Sequence, residues 1–461
     1  MTRRHPSRWS AMGPVRTGAA VAVLSLALAV AFAQKDTPVT SMDDVLLREQ
    51  GSVEPVDQGT ADHRKFESLQ REFATGPDVT RACLECHTEA AKQVMETSHW
   101  TWICPRAREE LADRHGEEPD RIGKGAHVIN NFCIALASNE PRCTSCHAGY
   151  GWEDKTFDFE DQTLVDCLVC HDQTGEYKKF PTGAGHPNYE PREWPKGSGN
   201  IWQPPNLTRI AQNVGKPTRR NCGVCHFWGG GGEGVKHGDM DATLAKPQRS
   251  LDVHMAVDGP DFTCTECHTT RDHKIAGRCF TIPAFEERDY VMRGIRGEFD
   301  LMVCESCHSA EPHAASVLNG HTDKVSCEAC HIPTMAPLRP TKMWWDWSRA
   351  GRMSDQGKPY TETSQIGGVE VPSYDTKKGR FIWALNAEPE YYWFGGDVEH
   401  VFQDDVIDDT TPGRDRGVRK GEHDELDLDQ PVISINTLIG SYDDPSSRIY
   451  PVKVHRGKQP Y

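Results

Sequence analysis

The feature that most constrains this chain is a five-residue pattern, Cys-x-x-Cys-His, which occurs seven times between residues 83 and 331. Two thiols three residues apart, with an imidazole directly after the second, can all reach one flat ligand from a single turn of chain. The pattern is typical of covalent haem c attachment, in which the thiols bond to the porphyrin and the histidine binds the iron. The predicted attachment residues are Cys83, Cys86, Cys143, Cys146, Cys167, Cys170, Cys222, Cys225, Cys264, Cys267, Cys304, Cys307, Cys327 and Cys330, and the predicted proximal ligands are His87, His147, His171, His226, His268, His308 and His331.

Two other classes of site use Cys-x-x-Cys, and both fit this chain poorly. Zinc ribbons and thioredoxin-like motifs do not need a histidine directly after the second cysteine. Seven half-sites are also an odd number, which cannot pair into four-ligand zinc sites. We therefore predict haem c as the cofactor, with seven standard sites.

The first 33 residues resemble a secretory signal. Four arginines precede an apolar run over residues 19–30, and Ala31-Phe32-Ala33 offers a small-residue cleavage site. The run is shorter than the roughly 20 residues that a membrane span needs. We therefore predict a cleaved signal peptide over 1–33, secretion across the inner membrane to the periplasm, and no stable membrane insertion afterwards.

Net charge narrows the choice of partners. The full chain carries a formal charge of −16, and removal of the signal arginines makes it more negative. Nucleic acid, which proteins bind chiefly through cationic side chains, is therefore excluded as a partner.

Composition predicts that the haems themselves form much of the core. Hydrophobic residues make up only 37% of the chain, which is little for a body of this size unless apolar porphyrins replace side chains. We expect a mainly α fold with extensive irregular loop and little sheet, wrapped around closely packed haems. The predicted divisions are a polar N-terminal leader over 34–80, a multihaem domain over 81–340, and a haem-free, cysteine-free C-terminal flank over 341–461 that packs on it.

The second axial ligands of the haem irons are expected among the other histidines of the haem-bearing stretch. Haems that only transfer electrons commonly take a second histidine, which closes both faces of the iron. The predicted distal ligands are His99, His127, His186, His237, His254, His273, His313 and His321.

Four longer motifs resemble the octahaem tetrathionate reductase family of c-type cytochromes. They are Cys-Leu-Glu-Cys-His with Ser-His-Trp-Thr-Trp (83–102), Asn-Glu-Pro-Arg-Cys-Thr-Ser-Cys-His-Ala-Gly-Tyr-Gly-Trp (139–152), Cys-Leu-Val-Cys-His-Asp (167–172) and Cys-Gly-Val-Cys-His-Phe-Trp-Gly-Gly-Gly-Gly (222–232). The resemblance implies a periplasmic enzyme whose closely packed haems mostly have two histidine ligands. It also implies one exceptional haem, bound by a lysine amine and open to substrate on its other face. The family's activities include reduction of tetrathionate, nitrite and hydroxylamine.

The chain departs from that family in its motif count. The family carries eight haems, whereas seven standard motifs are present. Either an eighth haem attaches through Cys104 or Cys133, or only seven are bound and these cysteines form a disulfide or line a pocket. For the lysine ligand the candidates are Lys92, Lys124, Lys155 and Lys196. Lys155 and Lys196 can instead supply charge or protons, with Glu193 nearby in sequence. The predicted catalytic residues are Cys104, Lys155, Lys196 and Glu193.

These parts predict a multihaem oxidoreductase. A periplasmic or membrane quinol-linked donor delivers electrons, which pass through the haems to one open iron, where a small sulfur or nitrogen oxyanion or hydroxylamine is reduced. An acidic protein needs a locally basic channel for such a substrate, and Lys216, Arg219 and Arg220 are candidates for its lining. The alternatives are a non-catalytic electron-transfer protein with every iron closed, and a relative that oxidises hydroxylamine or hydrazine.

Overall fold

The computed structural model describes residues 61–102, 112–113, 140–229, 232–235, 240–276, 302, 304–402, 405 and 433–458. All seven Cys-x-x-Cys-His motifs lie within these ranges. The predicted signal peptide, Cys104, Cys133, Lys124, His127 and His237 lie outside the described residues.

The haem-bearing stretch is built from short helices joined by loops. In the described ranges its α-helices are Gly76–Leu84, Ala90–Met95, Ser98–Thr101, Glu140–Cys143, Cys167–His171, Leu207–Gln212, Arg219–His226, Cys264–Cys267, Ser316–His321 and Cys327–His331. Its 3-10 turns are His63–Lys65, Glu67–Leu69, Thr144–Cys146, Gln162–Leu164, Ala242–Ala245 and Cys304–Ser306. None of the helices described is long and apolar enough to cross a bilayer.

Two motif helices begin at a capping side chain placed just before the first cysteine. Asp166 accepts a hydrogen bond from the Val169 amide at 3.1 Å, which starts Cys167–His171. Ser326 accepts one from the Ala329 amide at 3.2 Å and starts Cys327–His331 in the same way. A capped single turn puts residues three apart on one face. Local sequence thus presents each pair of thiols on one side of the chain.

The N-terminal residues described belong to the folded body. The core cluster around the first and third motifs contains Leu69, Val79, Tyr150 and Leu168, and Leu69 lies inside the predicted leader. This part of the leader forms two 3-10 turns, His63–Lys65 and Glu67–Leu69.

The described residues from Thr341 onward form a β structure. The haem-bearing stretch contains two short antiparallel strand pairs. In one, β1 (Arg192–Glu193) pairs with β2 (Ile201–Trp202), and in the other, β3 (Thr270–Arg271) pairs with β4 (Lys274–Ile275). The later strands are β5 (Thr341–Asp346), β6 (Thr361–Ile366), β7 (Val369–Asp375), β8 (Gly379–Ala384), β9 (Glu390–Phe394), β10 (Asp397–His400), β11 (Asn436–Ile439), β12 (Arg448–Val452) and β13 (Arg456–Lys458). One sheet has the order β13-β5-β8-β7-β6, with β13 parallel to β5 and the other neighbours antiparallel.

The expectation of a mainly α fold with little sheet is therefore not met. The flank has no cysteines to attach porphyrins, so it must build a core from its own side chains. Its aromatic residues do this: Trp345 of β5 stacks on Trp347, just after the strand, with ring centres 4.3 Å apart, and contacts Phe381 of β8 at 5.3 Å. Aromatic residues suit a pleated, half-buried surface.

Among the described residues, this β structure is hydrogen-bonded to the haem-bearing stretch near the fourth and seventh motifs. The Gly234 carbonyl, just after the fourth motif, accepts hydrogen bonds from the Lys342 amide and the Thr341 hydroxyl, both at 2.8 Å. A Cβ at Gly234 would lie 2.4 Å from the Pro340 carbonyl oxygen, so only glycine fits this approach. Ahead of the seventh motif, the Ser326 amide donates to the Ile449 carbonyl at 3.0 Å.

Haem attachment is expected to be a condition of folding. The side-chain clusters of the haem-bearing stretch are small, and chain entropy opposes folding unless apolar burial exceeds it. Protein produced without haem attachment should lack a cooperative thermal transition in calorimetry and be digested within the haem-bearing stretch by a nonspecific protease. A sharp transition of the apo-protein near that of the holo-protein would contradict this expectation.

Candidate haem centres

Attachment cysteines from motifs that are distant in sequence lie against one another. Three pairs of thiols lie close enough to shift each other's pKa: Cys83 with Cys167, Cys222 with Cys264, and Cys146 with Cys225. These contacts bring the first motif to the third, the fourth to the fifth, and the second to the fourth. Through these contacts the first five motifs therefore form two groups, one of the first and third motifs and one of the second, fourth and fifth.

Within the described residues, five of the seven motif histidines face a second histidine across a nearly constant gap. The ring centres are 6.2 Å apart in His63–His87, His99–His226 and His171–His273, 6.1 Å in His254–His308 and 6.0 Å in His313–His331. Two imidazoles bound to opposite sides of one metal ion through bonds of about 2 Å place their ring centres roughly 6 Å apart. The spacing and the ligand type both fit one haem iron between each pair.

The pairs fall into two classes by the angle between their ring planes. The rings are nearly parallel in His63–His87, at 18°, and in His313–His331, at 10°. They are steeply crossed, at 68–74°, in the other three. Ring orientation alters the electronic structure of an iron with two imidazole ligands, so the classes are distinguishable by spectroscopy.

Hydrogen bonds to Nδ1 orient several of these rings. The Nδ1 groups of His171 and His268 bond to the carbonyls of Gly215 and Ala276 at 2.8 and 2.9 Å. A carbonyl only accepts, so in each case Nδ1 carries the proton and Nε2 presents its lone pair. Burial lowers the pKa of His171, which favours the neutral imidazole that a metal requires.

His147 of the second motif is arranged the other way round. Its Nε2, the atom that His171 and His268 present, bonds to the Trp100 carbonyl at 2.6 Å. The side chain is fully buried, and its ring lies 4.9 Å from Trp152 and 5.4 Å from Phe157 between ring centres. An imidazole whose Nε2 donates to a carbonyl cannot offer that nitrogen to an iron.

A buried charged network lies directly behind the second motif. Lys179 and Asp166 form a salt bridge of 3.1 Å, with side-chain exposures of 7% and 0%. The Lys179 ammonium also donates to the carbonyls of His147 and Gly149. It is therefore attached to the backbone that follows the attachment cysteines.

Two tyrosines complete the network around Asp166. The hydroxyls of Tyr150 and Tyr177 donate to its two carboxylate oxygens at 2.7 and 2.8 Å. Burial raises the pKa of both tyrosines well above the usual range, so both hydroxyls keep their protons. His186 stacks on Tyr150 with ring centres 5.4 Å apart.

The lysines and the carboxylate predicted from sequence lie elsewhere. Lys155 and Lys196 are on exposed turns. Glu193 is on β1, where its carboxylate accepts from the Gly199 amide at 2.8 Å. Lys92 is exposed and pairs with Glu89 at 3.0 Å. The described residues therefore do not bring these groups into the network behind the second motif.

The remaining predicted distal histidines have mixed surroundings. His186 bonds through Nδ1 to the Tyr189 hydroxyl at 2.8 Å. His321 is exposed at the end of Ser316–His321. The sequence prediction omitted His63, which pairs with His87, because it lies upstream of every motif. Lys179, with aromatic residues on both sides at Tyr177 and Phe180, is the other functional candidate that it missed.

The proposed basic channel is not formed by Arg219 and Arg220. Arg219 is buried and bonds to Asp261 and to two backbone carbonyls. Arg220 donates to the Gly175 carbonyl. Both guanidinium groups are engaged in binding the protein itself, whereas Lys216 is exposed.

Comparison with known proteins gives a consistent family. Residues 342–461 match the family model described as bacterial cytochrome c. An uncharacterised protein of Archaeoglobus fulgidus is 22% identical over 253 residues, which is 46% of this chain and 80% of that protein. The crystal structure of octahaem cytochrome c from Shewanella oneidensis is 39% identical, with a TM-score of 0.63, over 86% of this chain and 75% of that one. The protein is a multihaem c-type cytochrome that belongs to the family of this octahaem protein.

Proposed function

We propose that this cytochrome is a periplasmic reductase in which the haem on Cys143 and Cys146 binds the substrate and the other haems deliver electrons. The substrate is a small sulfur or nitrogen oxyanion, such as tetrathionate or nitrite, or hydroxylamine. A membrane or periplasmic quinol-linked donor supplies the electrons. Haem iron transfers single electrons and, where an axial position is open, binds and reduces a small ligand.

The observation that carries the proposal is the arrangement of His147. Five motif histidines face another histidine at 6.0–6.2 Å, which is the geometry of irons closed on both faces. His147 instead directs its Nε2 to the Trp100 carbonyl. The second motif thus attaches a haem without supplying its own axial imidazole, which favours an exceptional iron here.

Lys179 is the amine that the surroundings favour for this haem, in place of Lys155 and Lys196. It is buried beside the second motif, whereas the other two are exposed. Asp166 and the carbonyls of His147 and Gly149 hold its Nζ at a fixed position. A lysine can bind iron only as the neutral amine, and Asp166 lies within reach to take the proton that Lys179 then loses.

A pure electron-transfer role is the second candidate, and the five histidine pairs favour it. Irons closed by two imidazoles pass electrons but offer no position to a substrate. The two functions differ in whether one iron can bind a ligand.

The test is electron paramagnetic resonance of the oxidised holo-protein, with spins counted against total haem. We expect a low-spin majority in two classes, from the parallel and the crossed histidine pairs. We also expect one haem whose signal shifts when nitrite or hydroxylamine is added, and whose signal differs in Lys179→Met. If every haem is low-spin and indifferent to both ligands, the protein is an electron-transfer protein and the reductase proposal fails.

A further inference from the structure

We propose that Arg219 is a positioning residue that fixes His254 opposite His308 and ties this haem site to the helix of the fourth motif. The inference rests on the proposal that His254 and His308 hold one iron. It does not depend on which substrate is reduced.

Arg219 stands at the start of the helix Arg219–His226, which carries the fourth motif. The Thr218 hydroxyl and the Asn221 side chain form a capping box there, with their oxygens 2.7 Å apart. The backbone of Arg219 is therefore fixed relative to His226 at the other end of the same helix. Its side chain is 9% exposed and points away from the helix into the loop before the fifth motif.

That loop carries His254, and Arg219 binds both the residue that follows the histidine and the residue that stacks on its ring. One guanidinium nitrogen donates to the Met255 carbonyl at 2.8 Å, on the residue directly after His254. The guanidinium also donates twice to the Phe262 carbonyl, at 2.8 and 3.1 Å. Phe262 in turn stacks on the His254 ring, at 6.4 Å and 14°, and its amide donates to the His254 carbonyl at 3.0 Å.

The same guanidinium supports a strained residue in this loop. Asp261 has φ of 56°, in the left-handed region that few residues other than glycine adopt. Its carboxylate accepts from Arg219 at 2.6 Å. The salt bridge therefore holds the turn that places Phe262 against the histidine ring.

The contacts need the particular shape of arginine. The planar guanidinium uses a fork of two nitrogens here: Nη2 contacts the Asp261 carboxylate and both carbonyls, and Nε adds a second bond to the Phe262 carbonyl. A lysine ammonium keeps the charge but lacks that planar fork. The substitution Arg219→Lys should therefore keep the ion pair with Asp261 and lose some of the hydrogen bonds to the carbonyls of the loop.

The test compares the full-length holo-proteins of Arg219→Gln, Arg219→Lys and a reference, His254→Ala. We expect His254→Ala to convert one low-spin haem to a different spin state or ligation. Arg219→Gln should alter the signal of the same haem in part, and Arg219→Lys should do so to a smaller extent. The double variant Arg219→Gln with His254→Ala should show no change beyond that of His254→Ala alone. Arg209→Gln removes an exposed ion pair with Glu176 and serves as the matched control that leaves the spectrum unchanged.

The outcomes distinguish failure of this inference from failure of the proposal that His254 and His308 hold one iron. If His254→Ala leaves the spectrum unchanged, the assignment of His254 as a ligand fails. If His254→Ala changes one haem but Arg219→Gln leaves the spectrum as in the wild type, only the role of Arg219 fails. Changes spread over several haems would also contradict a positioning role. If Arg219→Gln does not mature with a full haem complement, Arg219→Lys decides by the same criteria.

Discussion

Replacing Lys179 with methionine is expected to reduce turnover by about 10²- to 10⁴-fold, the range typical of a lost group that binds or moves a proton at the reacting site. Lys179 and Asp166 share one proton, which lies on the carboxylate when the amine binds iron, so the same change leaves Asp166 buried and charged without its partner. Breaking a buried pair from one side generally destabilises a protein by about 3–5 kcal/mol. Tyr150 and Tyr177 still donate to the carboxylate, so we expect a loss at the lower end of that range.

A second substitution separates the two effects. The double variant Lys179→Met with Asp166→Asn removes both charges, so it should regain most of the stability and none of the turnover. Steady-state reduction assays with each candidate substrate and thermal unfolding of the holo-protein measure the two quantities. Lys155→Met and Lys196→Met are matched controls, because both lysines are exposed. If either control lost turnover while Lys179→Met stayed fully active, the assignment of Lys179 to the site would be wrong.

Replacing Lys342 with methionine is expected to raise stability at pH 6 by about 3 kcal/mol and to have little effect near pH 10.5. Lys342 is 4% exposed, and its ammonium lies 4.2, 3.8 and 5.0 Å from the ring centres of Trp345, Phe381 and Trp383. Burial, with smaller contributions from Lys378 and Lys453, lowers its pKa from 10.5 to about 7. Desolvation therefore outweighs the attraction of the aromatic faces for a cation, which is about 0.5–2 kcal/mol.

The sign follows from the two pKa values. The unfolded chain holds a proton on this lysine up to about pH 10.5, whereas the folded protein releases it above about pH 7. The unfolded state thus binds more protons between these values, and wild-type stability rises with pH across that window. His455 has a pKa lowered to about 4, chiefly by burial, so its own effect falls at lower pH and does not overlap.

Holo-protein melting temperatures from pH 6 to pH 10 provide the measurement. The wild type should gain stability over this range relative to Lys342→Met. Lys377→Met, an exposed lysine in the turn before β8, is the control. A difference between wild type and Lys342→Met that is the same at every pH would mean that Lys342 stays charged in the folded state.

Sequence was sufficient for what is decided locally. Attachment cysteines and the histidine that follows them lie within five residues, so their pattern is visible without a fold. The C-terminal sheet was missed because composition was averaged over the whole chain. The aromatic residues Trp345 and Trp347, two positions apart, and Phe381 further along the chain indicate a sheet only when the haem-free flank is considered by itself.

Pairing and burial could not be read from the sequence. His99 faces His226, and His171 faces His273, across large stretches of chain, and no local signal specifies such partners. Lys179 resembles any other lysine until Asp166 and two backbone carbonyls are seen around it. Arg219 and Arg220 were expected to line a channel because charge suggests a substrate, but their hydrogen bonds to the protein are long-range and invisible in sequence.

The histidine pairs also have a consequence for how the chain is held together. If each histidine pair binds one iron, the two histidines and the iron cross-link two segments of the chain. Each cross-link closes a loop of the polypeptide. The links His99–His226 and His171–His273 close loops of about a hundred residues or more, and a covalent link of that size restricts the unfolded chain by about 5 kcal/mol. The metal centres would then act as cross-links of the chain that also carry electrons. A change of axial ligand at one iron would loosen a remote segment of the chain as well as alter a potential.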